Sequence, residues 1–175
     1  MLLENNVIFL TGGSTGIGLD CAKAYAAEGA KVVFCARNGD KAAEAAAALP
    51  GEHHGIRCDV SLGDEVEKAI AFTVDTFGKL DAIHNNAGIA SPSKPLHETS
   101  EEEWDALVNI NLKSVYWTTK YGFPHLKASK GCILNTSSLV GVMGQAIHAA
   151  YTGTKGGMNT LTKSMALDYA EDGIR

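Results

Sequence analysis

No run of lysine and arginine occurs in the chain, and its formal net charge is −5. That argues against nucleic acid or an anionic membrane surface as the main partner. No apolar run approaches the roughly 20 residues that a membrane-spanning helix needs. The opening Met1-Leu2-Leu3-Glu4-Asn5-Asn6 has no basic stretch, and its acid does not suit a signal peptide. The 4 cysteines (Cys21, Cys35, Cys58, Cys132) form no CxxC pair, so they read as reduced, mostly buried thiols of a cytoplasmic protein. The 6 histidines show neither HxxxH nor HExxH spacing, and no metal is expected. The 19 glycines have no collagen-like period. What is present is 175 residues, 45% of them hydrophobic and 20% charged. That suffices for one domain burying roughly 70% of its unfolded surface.

Short β-branched runs alternate with longer helical patterns. Val7-Ile8-Phe9-Leu10 predicts a first strand, followed by a helix over residues 18–28 that stops at Gly29. KVVFCA over 31–36 is a second strand, and the Ala-rich 40–49 a helix ended by Pro50-Gly51. A third strand is expected over 56–60, then Ser61 and Asp64 at capping-box-like spacing and a helix to Phe77-Gly78. Residues 80–85 read as a fourth strand, 90–95 as a Pro-containing loop, and Ser100-Glu101-Glu102-Glu103 as a capping box. One long helix over 103–126, a fifth strand over 132–136 and a last helix over 151–171 complete the alternation. The alternation implies right-handed βαβ units in a doubly wound, Rossmann-like α/β fold, its parallel sheet covered by helices on both faces. Such a sheet binds ligands at the carboxyl ends of its strands, so the chemistry belongs just after them.

Directly after the first strand comes Thr11-Gly12-Gly13-Ser14-Thr15-Gly16-Ile17-Gly18, which opens a helix. Glycines there permit a tight turn and let backbone N–H groups approach a pyrophosphate, with the helix dipole behind them. An acid about 20 residues further on would accept from the ribose 2′-hydroxyl of NAD. Here the second strand ends in Ala36-Arg37, and a guanidinium can pair with the 2′-phosphate of NADP instead. NADP is the expected cofactor, with NAD kept open by the nearby Asp40. Near the start of the last helix, Tyr151 and Lys155 stand at i and i+4, one helix face. A tyrosine titrates near pH 10, and making it a base at neutral pH takes roughly 4 kcal/mol. A unit positive charge about 4 Å away supplies up to about that much at an effective dielectric near 20. Upstream, Asn135-Thr136-Ser137-Ser138 ends the fifth strand, where only one of the two serines can face the cleft.

The G-x3-G-x-G spacing behind Thr11 resembles the glycine motif of the short-chain dehydrogenase/reductase family. Asn85-Asn86-Ala87-Gly88 after the fourth strand and Asp59-Val60 after the third are similar to two further family segments. The resemblance runs from Val7 to Arg175. It implies that Asn86, Ala87 and Gly88 brace the sheet and line the adenosine ribose, although Asn85-Asn86 alone also reads as an Asx turn. It implies that Asp59 and Val60 lie against adenine. The family's Ser-to-Tyr spacing selects Ser138 to orient the substrate oxygen. Asn111, in Val108-Asn109-Ile110-Asn111-Leu112, matches the asparagine that helps hold a proton path to the lysine. The implied reaction is reversible hydride transfer between NAD(P)H and a small-molecule carbonyl/alcohol pair. Tyr151 is then the acid/base, Lys155 its activator and a holder of the nicotinamide ribose, in a homo-oligomer, commonly a tetramer.

Residues 1–175 are expected to form a single dinucleotide-binding and catalytic domain, incomplete at its C-terminal end, where the family continues into further strands and a lid. That expectation leaves the outer edge of the fifth strand unpaired and cofactor binding weak. A non-catalytic nucleotide-binding chain, or an epimerase or dehydratase on the same scaffold, are the alternatives.

Overall fold

The computed structural model describes residues 1–175. Strands β1 (Val7–Thr11), β2 (Lys31–Ala36), β3 (His53–Arg57), β4 (Ala82–Asn85) and β5 (Cys132–Asn135) form one sheet in the order β3-β2-β1-β4-β5. Every pairing is parallel. The helices are α1 (Gly16–Ala27), α2 (Gly39–Ala47), α3 (Gly63–Phe77), α4 (Glu101–Val108), α5 (Ser114–Ser129) and α6 (Ala149–Asp168). The strand order reverses between β1 and β4, which places a crevice beyond their carboxyl ends.

Alternation along each strand divides the core. Ile8, Leu10, Val32 and Phe34 face α1 and α2, whose contacts there are the small Ala22, Ala42 and Ala46. Phe9, Val33, Cys35 and Ile83 face Val66, Ala69 and Ile70 of α3 and Leu126 of α5. All five residues of β1 are buried, as expected of a central parallel strand covered on both faces. The expected Rossmann-like doubly wound architecture is therefore present.

Four local expectations are corrected. The third strand occupies His53–Arg57, not 56–60. Pairing decides this: His53 to Arg57 lie opposite Val32 to Ala36 of β2, and α2 crosses so near that a Cβ on Gly55 would strike the Ala42 carbonyl. Ser61 does not cap α3; its N–H and hydroxyl both donate to Asp59 Oδ1, at 3.0 and 2.7 Å. The long helix is interrupted: α4 and α5 flank a π-helical turn over Asn109–Lys113. The outer edge of β5 is covered at its start, where Ile133 N–H donates to the Arg175 carbonyl at 2.8 Å and Arg175 N–H to the Gly131 carbonyl at 3.1 Å, and is open only beyond it. The Ser100–Glu103 capping box is present, with Ser100 N–H donating to Glu103 Oε2 at 2.8 Å.

Candidate active site

Gly12 leaves β1 with φ +69°, a left-handed conformation suited to glycine, and its N–H donates to the Cys35 carbonyl at 2.9 Å. A Cβ on Gly18 would run into the Gly12 carbonyl, so α1 rises directly against the turn. Thr15 caps α1 without a side-chain hydrogen bond, and the first turn of α1 carries no acid. The first turns of α3 and α4 carry two and three acids. The N-terminus of α1 is thus left open to an external anion.

Asn86 and Thr11 clamp this turn. Asn86 Nδ2 donates to the carbonyls of Thr11 and Gly12 at 3.1 and 3.2 Å. Thr11 Oγ1 accepts from the N–H groups of Asn86 and Ala87, both at 3.0 Å. Asn85 reaches the other way, donating to Asn135 Oδ1 at 2.9 Å and accepting from Thr118 Oγ1 at 2.7 Å.

A cavity of about 440 Å³ opens beyond β1, β2 and β4. Gly12, Ser14, Thr15, Ile17, Gly18, Arg37, Asp59, Val60, Asn86, Ala87 and Gly88 line it. Thr11 and Gly16 do not; Thr11 is buried as the clamp, and Gly16 supplies a turn at φ +53°. Cys35, Ala36, Asn38, Cys58, Ile89 and Ile110 complete the walls and were not foreseen. Of these Cys35, Ala36 and Cys58 were within reach of the sequence, at or near the ends of predicted strands. Arg37 is exposed at the rim and joins no ion pair. Asp40 lies in the first turn of α2 and does not line the cavity. Asp59 N–H donates to Glu65 Oε2 at 2.8 Å, and with Arg57 this bond holds the Glu65 carboxyl below its ordinary range.

Asn111, Ser138, Tyr151 and Lys155 do not line that cavity, but Asn111 and Lys155 lie beyond its Gly88 end. A Cβ on Gly88 would lie 3.2 Å from Asn111 Oδ1 and 3.7 Å from Lys155 Nζ. Lys155 is 4% exposed and has no carboxylate partner; its ammonium donates to the Thr136 carbonyl at 2.7 Å. Burial pushes its pKa down. Its Nζ lies 5.9 Å from the centre of the Tyr151 ring, and the half-buried Tyr151 makes no side-chain hydrogen bond within the protein. Asn111 stands in the π-helical turn with its amide fully engaged. It accepts from Ile89 N–H and donates to the Ile89 carbonyl, each at 2.8 Å, and donates to Thr154 Oγ1 at 3.1 Å. The two serines diverge: Ser137 donates to the Lys155 carbonyl at 3.3 Å, and Ser138 begins the turn over Leu139–Gly141. His148, three residues before Tyr151, bonds Ser93 Oγ through Nε2 at 2.8 Å, joining the loops after β4 and β5.

The residues fit a dinucleotide: an anion-ready helix end, a cavity of about 440 Å³, an unpaired guanidinium at its rim and, beyond Gly88, an ammonium with free N–H groups. Comparisons with known proteins agree. The chain is 41% identical over 172 residues to an L-fucose dehydrogenase of Oryctolagus cuniculus, covering 97% of this chain. It spans 59% of that relative's length, and 62–63% of three other mammalian proteins of the same name. A 3-ketoacyl-(acyl-carrier-protein) reductase from Brucella melitensis, solved with NADH, superposes with a TM-score of 0.96 at 32% identity. That match covers 99% of this chain and 73% of the reductase. A metagenomic short-chain oxidoreductase solved with NADP gives 0.92 at 36% identity, covering 100% of this chain and 81% of that one. Residues 6–175 match the short chain dehydrogenase family, and with its strand order, glycine turn and Tyr-Lys helix this chain belongs to that family.

Proposed function

We propose that the protein is an NAD(P)-dependent oxidoreductase acting on a small-molecule carbonyl/secondary-alcohol pair, with residues 1–175 as one dinucleotide-binding and catalytic unit. The observation that carries this is the buried Lys155 ammonium beneath the Tyr151 ring, just beyond the Gly88 end of the glycine-lined cavity. A bound nicotinamide supplies the hydride acceptor or donor. Tyr151 gives its hydroxyl proton to the nascent alkoxide in reduction and takes the alcohol proton in oxidation. Lys155 favours the tyrosinate electrostatically and offers its remaining N–H groups to the nicotinamide ribose. Ser138 donates to the substrate oxygen. Asn111 holds Ile89 and Thr154 together, which keeps the β4 loop and α6 in register around the site.

NADP is the better match of the two cofactors, because Arg37 is exposed at the rim and joins no ion pair. A charge-assisted bond to the 2′-phosphate contributes about 1.5–3 kcal/mol, or roughly 10- to 150-fold in affinity. Fluorescence titration is expected to give tighter binding of NADPH than of NADH. Ala36→Asp combined with Arg37→Ser reverses the order. Equal or tighter NADH binding by the unaltered protein would overturn the NADP assignment, and no binding of either would overturn the oxidoreductase reading.

The free cysteines support a reducing, cytoplasmic setting. Tyr116, Phe123, Leu161, Met165 and Tyr169 form an apolar groove between α5 and α6, which supports a homo-oligomer packed across these helices, a tetramer in the family arrangement.

A further inference from the structure

His84 is out of place by composition. It lies on β4 between Leu10 and Leu134, faces α1, and is 4% exposed. A polar ring in the interior of a parallel sheet is costly unless its nitrogens are hydrogen-bonded. Both are. Nδ1 is 3.0 Å from Tyr25 Oη on α1, and Nε2 is 2.9 Å from Thr136 Oγ1, just past β5 and diagonal to His84 across the sheet.

Burial pushes the ring below the usual histidine range, so at neutral pH it carries one N–H. One assignment satisfies every group: Tyr25 O–H donates to Nδ1, Nε2–H to Thr136 Oγ1, and Thr136 O–H to Asn86 Oδ1 at 3.5 Å. The opposite assignment consumes the threonine proton and leaves Asn86 Oδ1 without that donor. Asn86 in turn grips the carbonyls of Thr11 and Gly12. Thr136 is also pinned through its backbone, its N–H donating to the Asn85 carbonyl at 2.9 Å. Its own carbonyl is the one protein acceptor of the Lys155 ammonium.

Resting on the oxidoreductase reading above, we propose that His84 is a positioning residue that sets the Lys155 ammonium by holding Thr136, and ties that setting to the glycine turn through Asn86. Without the imidazole, Thr136 loses its side-chain anchor and its carbonyl gains freedom. A buried ammonium with a single protein partner follows that carbonyl. Displacements of this kind away from the chemistry cost up to about 100-fold in rate.

The test uses Tyr25→Phe, His84→Leu, Thr136→Val and the His84→Leu/Thr136→Val pair, with Tyr151→Phe as a reference. Tyr25→Phe removes the partner of His84 Nδ1 and is expected to move the same lysine resonance in the same direction. It and Thr136→Val keep side-chain shape, so they carry the test should His84→Leu not fold. In protein without cofactor, the Lys155 ε-carbon resonance of lysine-labelled samples is expected to move alike in His84→Leu, Thr136→Val and the pair. The kcat of each falls between about 10- and 100-fold with substrate KM within about twofold, and the pair loses no more than its worse member. A Lys155 resonance that stays in place, or losses that multiply in the pair, would overturn the positioning role. If the unaltered protein neither binds nor turns over with NADH or NADPH, the oxidoreductase reading fails. If Tyr151→Phe retains full turnover, Tyr151 is not the acid/base; if Tyr151→Phe is inactive and the His84 and Thr136 variants are normal, only the positioning role fails.

Discussion

Tyr151→Phe is expected to lower turnover by about 10²- to 10⁴-fold, the range supplied by a positioned acid or base. Cofactor affinity should stay within about twofold of the unaltered protein, because the glycine turn, Arg37 and Asp59 are untouched. The substitution removes one oxygen and keeps the ring whose centre lies 5.9 Å from Lys155 Nζ. Since Tyr151 makes no side-chain hydrogen bond within the protein, no neighbour loses a partner and stability should be unchanged. The expected result is a kcat defect on an intact fold, read by steady-state kinetics, fluorescence titration and thermal unfolding together. Near-normal turnover would remove Tyr151 from the mechanism.

Lys155→Met has two opposed consequences. Turnover should fall by about 100-fold or more, since the charge favouring the tyrosinate is gone, and cofactor affinity should fall with it. Stability at pH 7 should be equal or higher. Lys155 is buried without a carboxylate, and burial lowers its pKa, so the folded protein holds this proton less tightly than the unfolded chain. The unfolded chain then binds more protons between the lowered value and the ordinary lysine range. Lys155 therefore adds stability only as pH rises through that window, and costs stability at neutral pH. Methionine removes the cost while filling the space. Urea unfolding of both proteins at pH 7 and in the alkaline range checks this: the variant's advantage should shrink as pH rises. A variant markedly less stable at pH 7 would show that the Thr136–Lys155 bond outweighs the burial of the charge.

Much of the site was legible because its motifs are short and sit at element ends. The strand–glycine–helix order placed the cavity, the Ala36-Arg37 end of β2 placed the rim, and the i, i+4 pair placed Tyr151 and Lys155 on one face. The Ser100 capping box could be read from four consecutive residues. Other features failed for identifiable reasons. Residues 56–60 looked more strand-like than His53-His54-Gly55, yet backbone pairing to β2 and the crowding of α2 selected the glycine-containing segment. The π-helical turn was hidden inside an unbroken helical pattern. Its one extra residue per turn accompanies Asn111, whose amide serves the backbone of Ile89, 22 residues away.

The sequence by itself determined the alternation of strands and helices, the parallel sheet, the glycine turn at the first helix and the Tyr-Lys pair. These rest on periodicity, capping and backbone conformation, which act over a few residues. Only the tertiary structure decided where β3 begins, why Thr11 and Asn86 matter as clamps, and that His84 reaches Tyr25 and Thr136. The start of β3 is set by pairing with β2, 21 positions away, and the other features are hydrogen bonds between residues 50 to 76 positions apart. A buried polar group is stable only where a partner is brought to it, and which partner arrives depends on how the strands are ordered in space.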